Sequence, residues 1–258
     1  MTRTPIIAGN WKMNLLRADV AAYAEALAAA GPPEAPVDVV LFPTPVYVGL
    51  AATAMPGWAA VGAQDVHAED GGPYTGDVAA AQIVDAGASW ALAGHSERRQ
   101  YHGESNDDVA HKARRALGAG LFPVVCVGET LEQRERDETE AVLDAQLGAV
   151  LEVLAAADGA GVGAVVAYEP VWAIGTGLSA SPEIAASVHS HLRARLNGHQ
   201  AGLGDSTRIL YGGSVNAENC RDLIGRADID GFLIGGASLD PASFLRIIRL
   251  STGSAGGS

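Results

Sequence analysis

Lysine is almost missing from this chain: only Lys12 and Lys112 occur among its 258 residues. Positive charge of any kind is scarce. Seventeen Lys and Arg stand against 30 Asp and Glu, for a net charge of −13 and a pI near 4.8. Such a field repels phosphodiester backbones and anionic lipid, which excludes nucleic acid and membrane surfaces as partners. An anionic substrate would have to be drawn in by a local concentration of positive charge. Two origins of the acidity stay open, a salt-tolerant surface and a general bias toward Ala, Gly and Arg. Cysteine is also rare. Cys126 and Cys220 cannot build a disulfide framework, and a reducing cytoplasm is the simpler setting. The first apolar run, inside MTRTPIIAGN, is too short for a signal peptide. No run reaches the roughly 20 residues of a membrane span.

What the chain does have is alternation. Short β-branched runs lie at 5–10 (PIIAGN), 37–42 (VDVVLF), 58–64 (WAAVGAQ) and 90–95 (WALAGH). They continue at 121–127 (LFPVVCV), 163–168 (GAVVAY), 207–212 (TRILYG) and 231–234 (GFLI). All are largely apolar on both faces, as in a parallel sheet covered by helices. Between them the pattern predicts helices over 17–30, 45–54, 78–86 and 105–119, the last capped by Ser105. Further helices are predicted over 131–157, 181–197 (Pro182 first, Gly198 ending it), 216–224 and 241–250. Eight strands, each followed by helix, in about 250 residues make a single (β/α)8 barrel of the α/β class over residues 1–250. The tail 251–258 (STGSAGGS) reads as disordered. A doubly wound sheet is the structural alternative, but no GxGxxG follows the first strand.

In a barrel of this kind the chemistry sits at the carboxyl ends of the strands. Those ends carry Asn10 and Lys12, then His95 followed by Ser96-Glu97-Arg98-Arg99, then Glu169 ahead of an apolar, glycine-rich stretch. Gly212-Gly213-Ser214 and Gly235-Gly236 follow the last two strands. Taken singly, Glu169 reads as a solvated loop acid or cap, His95 as a hydrogen-bonded structural histidine, and the Gly-Gly pairs as tight turns. Cys126, in an apolar strand, reads as core. Their joint occurrence at five strand ends points instead to one site with a phosphate-binding half.

The motifs GNWKMN (9–14), AGHSERR (93–99), CVGET (126–130), AYEPVWAIGTG (167–177), YGGSV (211–215) and GFLIGGASL (231–239) resemble those of the triosephosphate isomerase family, in order and spacing. The resemblance spans about 5–250. It implies a TIM barrel that interconverts dihydroxyacetone phosphate and D-glyceraldehyde 3-phosphate through an enediol(ate), in glycolysis, gluconeogenesis and glycerol catabolism. No cofactor and no metal is implied.

The resemblance also implies roles. Glu169 matches the base, with Ile174 and Leu233 pressing on its carboxylate; apolar surroundings would lift it above an ordinary glutamate's pKa of about 4.3. His95 matches a neutral electrophile at a helix N-terminus, a pairing for which this family is itself the standing illustration. Lys12 supplies fixed positive charge, Asn10 an amide donor, and Glu97 pairs with Lys12. Asn10, Lys12, Gly175, Ser214, Gly235 and Gly236 would hold the phosphate-bearing substrate. The stretch after Glu169 would be a lid. Tyr211 and Ser214 would latch it closed on the Ala180 and Gly177 backbone. Glu129 on Trp172, and Ser96 on Glu169, would hold the open form. A homodimer is implied through the loop around 64–78 (Gln64 to Val78), with Thr75 near the partner's site; a tetramer is not excluded.

Four features depart from the family pattern or compete with the reading. The lid's exit hinge reads Gly177-Leu178-Ser179-Ala180 rather than Gly-Lys-Thr-Ala. Asp65, Pro73 and Asp77 replace the more usual Asn, Ala and Glu in the dimer loop, which weakens the expectation of an Asp77 bridge to Arg98 across an interface. Another phosphate-binding barrel isomerase or lyase would share the two glycine turns, though not Lys12, His95 and Glu169 together. An inactive barrel scaffold would be expected to have lost Glu169 or Lys12.

Overall fold

The computed structural model describes residues 3–159, 163–174 and 180–253. Eight parallel strands close into a barrel in chain order: β1 (Ile6–Asn10), β2 (Asp38–Phe42), β3 (Ala59–Ala63), β4 (Trp90–Ala93), β5 (Phe122–Val127), β6 (Val165–Tyr168), β7 (Arg208–Tyr211) and β8 (Gly231–Ile234). Closure is by β1 against β8, with Ile6 opposite Gly231 and Gly9 opposite Ile234. The chain is thus a single (β/α)8 barrel.

Strand residues alternate between two apolar surroundings, which is why the strands read as continuous apolar runs. Ile6, Ala8, Val40, Phe42, Leu92, Val124, Cys126, Val165, Ala167, Leu210 and Leu233 fill the barrel's interior. Their neighbours Ile7, Val39, Leu41, Val125, Val166 and Ile209 join the larger core under the helices. Trp90 and Phe122 stack at 4.7 Å at the amino-terminal ends of their strands, closing the floor of the barrel. Charges fasten the same end: Arg193 donates to Asp228 and Asp230, and Arg3 to Asp230.

Among the described residues the outer layer holds α1 (Arg17–Ala30), α2 (Val48–Ala54), α3 (Ala80–Asp85), α4 (Ser96–His102), α5 (Asn106–Gly118) and α6 (Leu131–Glu135). It continues with α7 (Thr139–Gly148), α8 (Leu151–Gly159), α9 (Pro182–His199), α10 (Leu203–Ser206), α11 (Cys220–Ile224) and α12 (Pro241–Thr252). Local chemistry sets their starts. Ser105 and Asp108 exchange side-chain bonds with each other's backbone N–H at the head of α5, and Ser181 accepts from Ile184 N at the head of α9.

Four expectations need correction. The single helix over 131–157 is three, because Asp137 turns into the left-handed region at φ 56° and Arg136 is held by Glu138. α9 does not stop at Gly198; it runs through it to His199, while Asn197 accepts from Gly204 N to dock α10. The helix over 216–224 starts only at Cys220, because the Asn216 side chain accepts from Glu218 N and Asn219 N and winds a turn first. Ser251 and Thr252, expected in the tail, complete α12, and Ser251 is buried. The remaining tail residues, 254–258, lie outside the described residues. No described helix is long and apolar enough to cross a membrane.

Candidate active site

The strand ends supply the side chains in turn. Asn10 is the last residue of β1 and Lys12 follows two residues later. His95 caps α4 just beyond β4. Glu169 is the first residue after β6, and the glycine pairs follow β7 and β8. All of them open onto one cleft of about 500 Å³, which takes in Asn10, Lys12, His95, Glu169, Ile174, Ser214, Leu233, Gly235 and Gly236. Gly175 and the hinge residues Gly177, Leu178 and Ser179 lie outside the described residues. Thr75 is not in this cleft; it is exposed and lines a separate hollow with His67, Tyr74 and Asp77. Asp77 pairs with His67 of its own loop at 3.3 Å.

Lys12 is held at both ends. Its Nζ donates to Glu97 Oε1 at 2.7 Å, its backbone N donates to Asn10 Oδ1 at 3.0 Å, and its carbonyl accepts from Gln64 Nε2 at 2.8 Å. Its φ of 50° is left-handed, which costs a non-glycine residue about 1–3 kcal/mol and persists only where the surroundings enforce it.

Glu169 is 2% exposed. Its Oε1 lies 3.0 Å from His95 Nε2, and its Oε2 accepts from Ser96 N at 2.8 Å. The ring proton of His95 sits on Nε2, because Nδ1 accepts from Glu97 N at 3.2 Å. Burial alone would raise the Glu169 carboxyl, but His95 and the Ser96 donors outweigh it and hold the group below the usual glutamate value. That corrects the expectation of a carboxyl lifted by apolar contacts. In this geometry its oxygens are bonded, and Ile174 and Leu233 wall the cleft beside it. Burial lowers His95 and the facing carboxylate raises it, with the second prevailing.

Glycine is required immediately around this carboxylate. A Cβ on Gly212 would stand 2.9 Å from Glu169 Cγ, and one on Gly128 would stand 1.7 Å from the Glu169 carbonyl oxygen. The YGGS glycines therefore do more than shape a turn.

The entry to the expected lid is a single turn of 3-10 helix, Val171–Ala173. Trp172 Nε1 donates to Glu129 Oε1 at 2.9 Å, and the Arg134 guanidinium lies 5.0 Å above the Trp172 ring. Glu129 is fully buried and its Oε1 also accepts from Tyr168 and Arg134. At the far end Ala180 N donates to Tyr211 Oη at 3.3 Å. That contact coexists with the Trp172–Glu129 bond, so it is not reserved for a closed lid.

A second cavity of about 420 Å³ lies behind Glu169, between Ser96, Cys126, Thr130 and Trp172. Burial pushes the Cys126 thiol far above its ordinary value, which agrees with a core residue. Sequence reasoning missed Gln64, Arg134, Tyr168 and Gly128. Their roles come from contacts 5 to 52 residues away in the chain, for which no local signal exists.

The sequence profile of the family described as triosephosphate isomerase matches residues 5–251. The chain is 50% identical over 248 residues to the triosephosphate isomerase of Xanthomonas oryzae pv. oryzae, covering 96% of this chain and 98% of that one. It is 49% identical over 248 residues to the triosephosphate isomerase of Herminiimonas arsenicoxydans, with 96% and 99% covered. It is 50% identical over 251 residues to that of Stenotrophomonas maltophilia, with 96% and 98% covered.

Proposed function

The chain belongs to the triosephosphate isomerase family, and from that premise we propose how its residues divide the work. The reaction is the interconversion of dihydroxyacetone phosphate and D-glyceraldehyde 3-phosphate, an isomerisation within glycolysis. A C–H beside a carbonyl is a weak acid. The site must therefore supply a base, a group to stabilise the developing oxyanion, and a grip on the phosphate.

Glu169 is the base. In the structure it rests on His95 and Ser96, where its basicity is low. Substrate takes over the His95 donor, and the carboxylate turns away from Ser96 toward the reacting carbon, against Ile174 and Leu233. Losing donors and gaining apolar cover both raise its proton affinity at the moment it is needed. His95 donates its Nε2 proton to the substrate oxygens as a neutral imidazole, the arrangement this family illustrates. Lys12 and Asn10 stabilise the same developing negative charge. Lys12 is also the local positive charge that draws a dianion against a net charge of −13.

The phosphate lies among Gly175, Ser214, Gly235 and Gly236. Among the described residues, chain neighbours aside, nothing stands within 4 Å of a Cβ built on Gly236, so backbone donors there can approach a dianion. Grip on this remote group helps hold the lid shut over the reacting carbons. Closure excludes water from an enediolate that would otherwise expel phosphate. Lid closure is again a feature for which the family is the common example.

The assembly is a homodimer through the loop 64–78, with Thr75 reaching toward the partner's site. Exposed apolar side chains after β1 and β2 and on α4 support this reading: Met13 at 93%, Val46 at 80% and Tyr101 at 72%. The setting is the cytoplasm, in line with two free cysteines.

The observation that carries the reading is the buried Glu169–His95 pair at 3.0 Å, facing the cleft that also contains Lys12. The test is turnover of D-glyceraldehyde 3-phosphate by the purified protein, repeated with Glu169→Asp. Absence of isomerisation in the wild type refutes the reading.

A further inference from the structure

Lys12 is caught in a closed ring of contacts. Its Nζ is bound to Glu97 on α4 at 2.7 Å. The next residue on α4, Arg98, meets Asp65 Oδ2 through its Nε at 3.0 Å. Asp65 follows Gln64, and Gln64 Nε2 returns to the Lys12 carbonyl at 2.8 Å. The same Gln64 nitrogen donates to the Phe42 carbonyl at 2.8 Å, which fixes the amide to β2. Asp65 is the one member of the ring that joins the residue holding the Lys12 backbone to the helix holding its ammonium.

Asp65 is itself firmly placed. Both its oxygens accept from Lys112 Nζ on α5, at 2.7 and 2.9 Å, and Glu104 binds Lys112 and Arg98 from the other side. The Lys112 and Glu104 side chains are only 8% and 7% exposed. Two cations and two carboxylates thus alternate in a square whose corner is the start of the loop 64–78, dry at Lys112 and Glu104 and partly exposed at Asp65 (23%) and Arg98 (30%). Removing Asp65 leaves the buried Lys112 ammonium short of a partner.

We propose that Asp65 is a positioning residue for Lys12. It locks the Gln64 end of the frame to the Glu97 end, so that the strained Lys12 backbone and its ammonium keep one geometry. The proposal rests on the reading of Lys12 as the cation of the isomerase site.

The test is a double-mutant cycle on the full-length protein at 25 °C, using Asp65→Ala, Lys12→Arg and the pair. Misplacing a reacting group by about 1 Å costs up to about 100-fold, so Asp65→Ala should lower kcat/KM by about 10- to 100-fold. In the Lys12→Arg background, where the ammonium's placement is already lost, the same change should cost less than about threefold. Asp65→Asn keeps an acceptor for Arg98 or Lys112 and should recover most of the loss. Equal fold-losses in both backgrounds would mean a purely structural role and overturn the proposal; so would unchanged kcat/KM in Asp65→Ala. A loss that vanishes at high protein concentration would assign the effect to assembly and overturn it as well. If Asp65→Ala does not fold, Asp65→Glu runs the same cycle, since it keeps the charge and displaces it by a methylene. Failure of the wild type to isomerise at all would instead strike the functional reading itself.

Discussion

His189 should make the protein lose stability in mild acid, by an amount that can be worked out. It lies on α9, fully buried, with Nδ1 3.1 Å from the Asp228 carbonyl. Its ring meets Tyr168 edge-on at 5.9 Å and lies 6.4 Å from Tyr211, the last residues of β6 and β7. Burial dominates its titration and lowers its pKa from 6.5 to about 4. The folded state therefore keeps the ring neutral where the unfolded chain binds a proton. Stability from this group is fully present above pH 6.5 and is lost as pH falls toward 4, at about 1.4 kcal/mol per pH unit. Between pH 7.5 and pH 5 the loss is about 2 kcal/mol. His189→Gln keeps an amide donor for Asp228 and cannot titrate. Urea unfolding of both proteins, at equal low concentration because the pI is near 4.8, isolates the effect. Carboxylates that titrate in the same range contribute equally to both and cancel in the difference. The stability gap between the two proteins should narrow, or reverse, by about 2 kcal/mol on going to pH 5. Parallel pH curves would refute the reasoning.

Other expectations are sharper for catalysis. Glu169→Asp withdraws the carboxylate by about one bond length and should lower kcat on the order of 100-fold with little change in folding, measured by coupled assay and circular dichroism. Gly212→Ala places a Cβ 2.9 Å from Glu169 Cγ and 3.1 Å from the Tyr168 carbonyl oxygen. It should displace the carboxylate, lower kcat at least about tenfold and destabilise the fold by about 1–3 kcal/mol; wild-type kinetics would show that the strand end yields freely. The acid limb of kcat/KM should lie lower than an ordinary glutamate would give, because the free carboxyl is depressed by His95 and Ser96. Activity needs the carboxylate and is lost as pH falls through its pKa. The Ser96 hydroxyl, as well as its backbone N–H, holds the carboxyl down, so Ser96→Ala should move that limb to higher pH; a limb that stays put or moves lower counts against the assignment.

The barrel was legible because its physics is local. Each strand is a short run apolar on both faces, and every one of the eight appears within two residues of its expected ends. Helix starts were equally readable where a cap carries them, as at Ser105 and Ser181. Ends were harder. Nothing local in LEQRERDETE marks Asp137 as left-handed, since its φ is fixed by how α6 turns back toward α7. Gly198 looked like a stop, yet contacts from Asn197 to the next segment carry the helix past it. The side chains of the cleft could be named from strand-end positions, whereas Gln64 and Gly128 could not. Gln64 sits in a loop with no chemical signature, and only folding brings its amide to the Lys12 carbonyl. Gly128 is glycine because the backbone after β6 passes where its Cβ would be.

The protonation of Glu169 ties these levels together. An isolated buried carboxylate would be a strong base but would also pick up a proton from water and be spent before substrate arrives. Here Ser96 and His95 Nε2 donate to it and keep it ionised. Both donors come from the head of α4, and the glycines at 128 and 212 allow the strand end to lie close enough to reach them. Under the proposed mechanism, basicity is gained by leaving those donors when substrate takes them over. Under that mechanism the depressed carboxyl of the structure and the stronger base at the reacting carbon are two positions of one side chain, and the difference between them is work done by binding.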